Sequence, residues 1–214
     1  MKHFGLQIYS IRDHFTTEED TREAFLEMKK MGYSYAQTAG TYDYIAPEKF
    51  AQYAKEAGIE ICGTHYNWDR IKDDIEGTIA YHKTLGTTNI GIGGMPVSAR
   101  DNIDGLVAFI DEFNALAREY AKRGFKLTYH NHSFEFKKLP DGKTLFDYLV
   151  ERLDPECTSF VLDTHWVQHG GADVRRMHER LSGRVDILHL KDMAAWNPET
   201  KAPYITQIGD GNID

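Results

Sequence analysis

The sequence predicts an α/β fold, a (β/α)8 barrel incomplete at its C-terminus, and three observations carry that expectation. Short β-rich runs alternate with longer stretches whose apolar residues recur every three or four positions. A glycine closes most of the helical stretches and a strand follows within a few residues, giving a unit that repeats at roughly 25 to 35 residues, as βα units do. Polar and charged residues gather at the ends of the β runs, where a parallel barrel assembles its site.

Taken in order, strands are expected at 4–9, 35–38, 60–64, 89–92, 126–130, 158–163 and 186–189, with helices near 18–31, 47–57, 70–85, 102–123, 143–152 and 171–181. Thr17 can cap the first helix, with Asp20 three residues on, and Pro47 suits a first helical turn. Gly32, Gly58, Gly86 and Gly124 each follow a helix, where a left-handed closing residue is wanted. Phe25, Phe109 and Phe113 fall at helical spacing and are expected in the core. The C-terminal GDGNID is reached without a seventh long helix or an eighth strand, so strand eight of the expected barrel is missing. Pairing of its exposed strand edges in a homodimer is one remedy for them. An open doubly wound sheet is the competing architecture. Against it, the first turn YSIRDHF lacks phosphate-binding glycines, and GIGGMP runs into a Pro/Ser loop instead of a helix.

With 214 residues and 41% apolar residues, the chain can bury one sizeable core, and a single domain over 1–214 is expected. No apolar run reaches the ~18 residues of a membrane span, and MKHFGLQIYSIRD lacks the order of a signal peptide, so a soluble cytoplasmic protein without a membrane partner is expected. Cys62 and Cys157 lie beside predicted strands and fit buried thiols in a reducing compartment better than a disulfide. A net charge of −8 repels phosphate backbones, which argues against a nucleic-acid partner.

The chemistry should sit at the strand ends. The third strand leads to His65, the fifth to His130, Asn131 and His132 with Glu135 close behind, the sixth to Asp163 and His165, the seventh to His189, Lys191 and Asp192. Of ten histidines, five fall at these positions, more than capping of strands requires. Nitrogen and oxygen ligands from three consecutive strands suit a divalent ion, Mn²⁺, Mg²⁺, Co²⁺ or Zn²⁺, and the lack of thiolates favours Mn²⁺ or Mg²⁺. Among the aromatic residues near the mouth, Tyr9, Tyr66, Trp68, Trp166 and Trp196 could pack on the apolar face of a sugar ring, Trp166 foremost because it follows DTH directly. Gln7 and Gln37 could bond hydroxyls but read equally as ordinary polar residues.

The segments LTYHNHSFEF, FVLDTHW, ILHLKDM and QIGDGNID, together with the opening GLQIYSIRD, resemble the xylose isomerase-like superfamily of sugar phosphate isomerases and epimerases, which are TIM barrels. The resemblance runs from residue 4 to the last residue and is specific in order and spacing. It implies a metal held by ligands from strands five to eight. Asp163 and His189 match the sixth- and seventh-strand ligands; the fifth-strand ligand is either His130, where many relatives carry glutamate, or Glu135, reaching in from the HNHxxEF loop. The strand-eight glutamate has no counterpart in the sequence. The implied reaction is proton transfer next to a sugar or polyol carbonyl through a metal-stabilised enediolate, returning the proton elsewhere to isomerise or epimerise. Glu135 is then the candidate base, His132 and His65 relay protons or bind substrate hydroxyls, and Lys191 either steadies an oxyanion or pairs with Asp163 or Asp192.

Two other outcomes share this architecture: a dehydratase or lyase acting on a polyol or keto sugar, and a truncated, non-catalytic sugar-binding barrel. A DNA-repair endonuclease of the same fold would need a basic groove and more ligands than the sequence offers, and the HNH letters at 130–132 end a barrel strand instead of lying in the ββα fold of HNH nucleases. No dense glycine loop near the seventh strand prepares a phosphate site, which points to an unphosphorylated carbohydrate.

Overall fold

The computed structural model describes residues 4–214 and contains strands β1 (Gly5–Gln7), β2 (Tyr35–Ala39), β3 (Glu60–Tyr66), β4 (Asn89–Ile92), β5 (Lys126–His130), β6 (Thr158–Asp163) and β7 (Val185–His189). They form one sheet in chain order, with parallel pairing resolved for β1–β2, β2–β3, β3–β4 and β6–β7. The helices are α1 (Glu18–Lys30), α2 (Pro47–Ala57), α3 (Trp68–Asp73), α4 (Ile75–Leu85), α5 (Ile103–Ala121), α6 (Leu145–Arg152), α7 (Thr164–His169) and α8 (Val174–Arg180). A short antiparallel pair, β8 (Asp192–Ala194) and β9 (Tyr204–Thr206), follows β7. Strand order and helical crossovers are those of an incomplete (β/α)8 barrel. Among the described residues no helix is long and apolar enough to cross a membrane.

By its contacts the chain divides into two compact units. One comprises the described residues up to Ile92 with Tyr120–Leu127; the other comprises Gly93–Glu119 with Thr128–Asp214. In the first unit Phe25 of α1 and Phe50 of α2 meet edge to face at 5.1 Å, Phe15 packs on Phe25 at 5.3 Å, and Tyr42 stacks on Phe50 at 4.8 Å. Phe25 is fully buried, as its helical spacing predicts. Burying such a ring contributes about 1.5–3 kcal/mol. Thr17 caps α1 by accepting from the Asp20 N–H, Pro47 opens α2, and Gly86 closes α4 with a φ of 77°, a conformation that carries a steric penalty for residues with a Cβ.

Several elements depart from expectation, each for a local reason. The predicted strand 4–9 ends at Gln7, whose side chain accepts the Tyr9 N–H and starts a 3-10 turn over Ile8–His14. The predicted helix 70–85 is two helices: Asp74 ends α3, and its carboxylate accepts the Gly77 N–H to begin α4. The predicted helix 171–181 is shorter, and a separate helix, α7, starts directly from the end of β6. The β8–β9 pair was not expected. Cys62 and Cys157 are free thiols.

In the second unit Phe109, Phe113, Phe146 and Phe160 are buried, and every residue of β6 is buried, as in a strand covered on both faces. A capping box opens α6: Thr144 Oγ1 accepts the Asp147 N–H at 3.0 Å while Asp147 accepts the Thr144 N–H at 2.7 Å. Thr144→Ala should lower unfolding stability by about 1 kcal/mol in urea melts; an unchanged midpoint would show that the box is dispensable.

A buried histidine in the first unit sets an acid response. His82 shows no exposed surface, its Nδ1 lies 2.7 Å from the Thr78 carbonyl, and its Nε2 lies 2.8 Å from the Thr64 hydroxyl. Burial lowers its pKa from 6.5 to about 4, the Thr78 carbonyl opposing only in part. Between those values the unfolded chain binds the extra proton, so stability is full above about pH 6.5 and falls as pH drops toward 4. Urea unfolding of wild type and His82→Gln across that range should show the wild-type advantage shrinking with acidity; a constant difference would remove His82 from the response.

Candidate functional site

The carboxyl ends of β5, β6 and β7 bring titratable side chains of the second unit together. Asp163, the last residue of β6, is fully buried. Its Oδ1 accepts the Trp166 N–H at 3.1 Å and caps α7. Its Oδ2 faces three nitrogens: His130 Nε2 at 3.2 Å from β5, His189 Nδ1 at 3.5 Å from β7, and Lys191 Nζ at 2.6 Å. The two imidazole rings lie 4.8 Å apart between centroids. Burial disfavours the charged form of Asp163, but hydrogen bonds from His130 and His189 and the Lys191 ammonium outweigh it and hold the carboxyl well below its usual range.

The tautomer of His130 follows from its other nitrogen. Nδ1 lies 3.3 Å from the Gly93 carbonyl, which can only accept, so a proton belongs on Nδ1, and Nε2 is the nitrogen turned to the carboxylate, at 3.2 Å.

Two side chains fix these strand ends: Asn131, which the sequence places at the end of the fifth strand without a role, and Thr164, which the sequence does not single out. The Asn131 amide accepts the Asp163 N–H at 2.9 Å and reaches the Asp163 carbonyl at 3.4 Å, joining the ends of β5 and β6. The Thr164 hydroxyl accepts the Lys191 N–H at 2.9 Å and donates to the Lys191 carbonyl at 2.6 Å, joining the ends of β6 and β7. Both lie inside the HNH and DTH segments; their neighbours drew attention because they titrate.

Glu135 is placed differently from Asp163. One of its oxygens accepts the Tyr129 hydroxyl at 2.7 Å and the other the His132 N–H at 2.8 Å, and its side chain has no exposed surface. Burial pushes its pKa up to about 7, against the pull of those hydrogen bonds. The structure thus ties Glu135 to the loop joint at His132 and to Tyr129. The His132 ring stacks on Phe134 at 5.7 Å, meets His130 edge on at 4.7 Å and lies 5.5 Å from Trp166. Burial and the neighbouring His130 lower the His132 pKa to about 4, so it is a neutral ring at physiological pH, and its Nδ1 has no hydrogen-bond partner among the described residues. Trp166 also contacts His165 at 4.7 Å, and Lys191 Nζ lies 5.9 Å from the Trp166 ring centre.

Asp192 closes the terminal motif onto β8. Its carboxylate accepts the N–H groups of Met193, Gly209, Gly211 and Ile213. A Cβ at Gly211 would lie 2.1 Å from the Asp192 oxygen, which explains the second glycine of GDG. Trp196 is largely exposed.

The remaining sequence-derived candidates belong to the first unit. His65 lies half-buried on β3, in register with Gly91 of β4. Trp68 opens α3, and Tyr9 lies exposed in the 3-10 turn beneath the Arg12 guanidinium, 4.5 Å from its ring centre. Tyr66 is buried against Tyr81 at 5.0 Å. Gln7 and Gln37 bond each other at 3.1 Å.

No curated protein sequence matches the chain. Among solved structures, a sugar phosphate isomerase/epimerase from Parabacteroides distasonis superposes with a TM-score of 0.80 at 23% identity, over 100% of this chain and 79% of that one. The probable 3-DHS dehydratase AsbF from Bacillus anthracis, involved in petrobactin synthesis, gives 0.74 at 13% identity over 100% and 86%. The IolI protein with a bound zinc atom gives 0.69 at 16% identity over 100% and 81%. At these identities the likeness is one of fold. The sequence itself matches the family model described as xylose isomerase-like TIM barrel along residues 25–214, nearly the whole chain, and the chain belongs to that family.

Proposed function

We propose that the chain is a divalent-metal-dependent isomerase or epimerase of a sugar or polyol, working by proton transfer next to a carbonyl. The observation that carries this reading is the convergence of His130 Nε2, His189 Nδ1 and the Lys191 ammonium on one buried oxygen, Asp163 Oδ2. Ligands of a tetrahedral ion with bonds of about 2.0–2.1 Å stand roughly 3.3 Å apart. The two imidazole nitrogens lie 3.2 and 3.5 Å from the carboxylate oxygen. A His130 ring whose far nitrogen is given to a backbone carbonyl is also the usual preparation of a metal-bound histidine. Of the two fifth-strand alternatives, His130 is therefore the proposed ligand, with Asp163 and His189, while Glu135 keeps its oxygens on Tyr129 and His132. The donor set ranks Mn²⁺, Co²⁺ and Zn²⁺ ahead of Mg²⁺.

When bound, the ion supplies Lewis-acid polarisation of a carbonyl. His132, neutral and with Nδ1 uncommitted, takes and returns the substrate proton. Glu135 fixes the His132 backbone and so aims the ring. Trp166 offers its face to the sugar, and Lys191 steadies negative charge that develops on oxygen. Assignment of His65, Tyr9 and Trp68 to the substrate side rests on the sequence. The carbohydrate class is supported by the fold likeness to the Parabacteroides enzyme. A dehydratase on a keto sugar or polyol is the second reading, favoured by the likeness to AsbF.

Protein purified without chelator should carry about one divalent ion per chain by mass spectrometry, and Asp163→Ala and His189→Ala should lose it. Wild type unable to take up Mn²⁺ would sink the metal reading. His132→Gln should keep its metal yet lower tritium or deuterium exchange into ketohexose substrates by about 10²–10⁴. Unaltered exchange would relieve His132 of the proton, and loss of water from the sugar instead of isomer formation would favour the dehydratase.

A further inference from the structure

Asp163 is a fully buried carboxylate, and such a group is strongly destabilising without a cation to neutralise it. Among the described residues, Lys191 is the one lysine or arginine paired with it, its Nζ at hydrogen-bond distance from the same oxygen that the two imidazoles face. We infer that the Lys191 ammonium is a built-in stand-in for the metal, neutralising Asp163 when no ion is bound and competing with an incoming ion for Oδ2, so that this lysine sets the affinity of the centre. The inference rests on the metal reading above.

The arrangement suits an exchange of cations. A divalent ion bonded to Oδ2 and an ammonium against the same oxygen would press positive charges together in a site with little water to screen them, so the two occupants oppose one another. The Lys191 backbone cannot yield, because Thr164 holds both its N–H and its carbonyl. The flexible four-carbon stem can, since the side chain is partly exposed. Nζ already lies over the Trp166 ring, 5.9 Å from its centre, so the aromatic face continues to attract the ammonium as it withdraws from Oδ2. Asp163 meanwhile keeps its other oxygen on the Trp166 N–H, so exchange of cations leaves the cap of α7 intact. The lysine thereby keeps the strand ends assembled before metal arrives, at the expense of binding strength once it does.

Two variants test this: Lys191→Met, which removes the charge and keeps the stem, and Lys191→Gln, which keeps a hydrogen-bond donor should the first fail to fold. Each is stripped with chelator, melted, and titrated calorimetrically with Mn²⁺ beside wild type. The stripped variants should melt below stripped wild type, bind Mn²⁺ about tenfold or more tightly, and gain more in melting temperature on Mn²⁺ addition. Mn²⁺ affinity equal to or weaker than wild type in a folded variant overturns the inference while leaving the metal reading standing. Absence of Mn²⁺ uptake by wild type and both variants overturns the metal reading and the exchange with it.

Discussion

Everything around the site is organised by one requirement, that a carboxylate sealed from water at the end of β6 be answered on both of its oxygens. Oδ1 is answered by the first turn of α7, which is why a helix begins immediately after the strand without an intervening loop. Oδ2 is answered by nitrogens delivered from the two neighbouring strands and from Lys191. Because hydrogen bonds and charge pairs act only over short distances, the ends of β5, β6 and β7 must be held within tenths of an ångström. Asn131 and Thr164 do that, binding main-chain groups of the next strand with side chains one residue removed from the titratable ones.

The two buried acids of this unit show how burial alone does not decide the state of a group. Asp163 is faced by two imidazole nitrogens and an ammonium, and it stays ionised. Glu135 is held by a phenol and backbone amides, with no full positive charge in hydrogen-bond contact, and its pKa climbs toward neutrality. The two acids are pushed in opposite directions, one held ionised and the other raised toward its neutral form. The His132 ring is kept neutral by burial and by the neighbouring His130.

Much of this was legible from the residues. Strands at 89–92, 126–130 and 158–163 coincide with the observed β4, β5 and β6, because their apolar runs are bounded by glycines and polar turns. Asp163, His130 and His189 were recognisable as a group because titratable residues at the ends of adjacent parallel strands share one end of a sheet. What periodicity could not supply is the direction in which a loop side chain turns. Glu135 and His130 were interchangeable on paper; in space, Glu135 is claimed by Tyr129, the strand neighbour of His130 whose side chain leaves the opposite face. The division at Asp74 was hidden because apolar spacing continues across it, though an aspartate three residues before Gly77 is a cap signal in itself. The β8–β9 pair depends on contacts distant in sequence, beyond the reach of any local pattern.

The segment from His189 to Met193 is anchored along its length. Thr164 grips Lys191, Asp192 gathers four N–H groups of its own strand and the terminal loop, and Met193 accepts the Asn212 N–H. Within so rigid a rail, motion is left to one side chain, and its travel is measured in rotamers instead of loop displacements. Such a part rearranges in nanoseconds and leaves almost no trace in the backbone. Two states of this protein with different cations at Asp163 would then superpose nearly perfectly along the main chain, and their difference would be visible to spectroscopy of the lysine and the indole beside it.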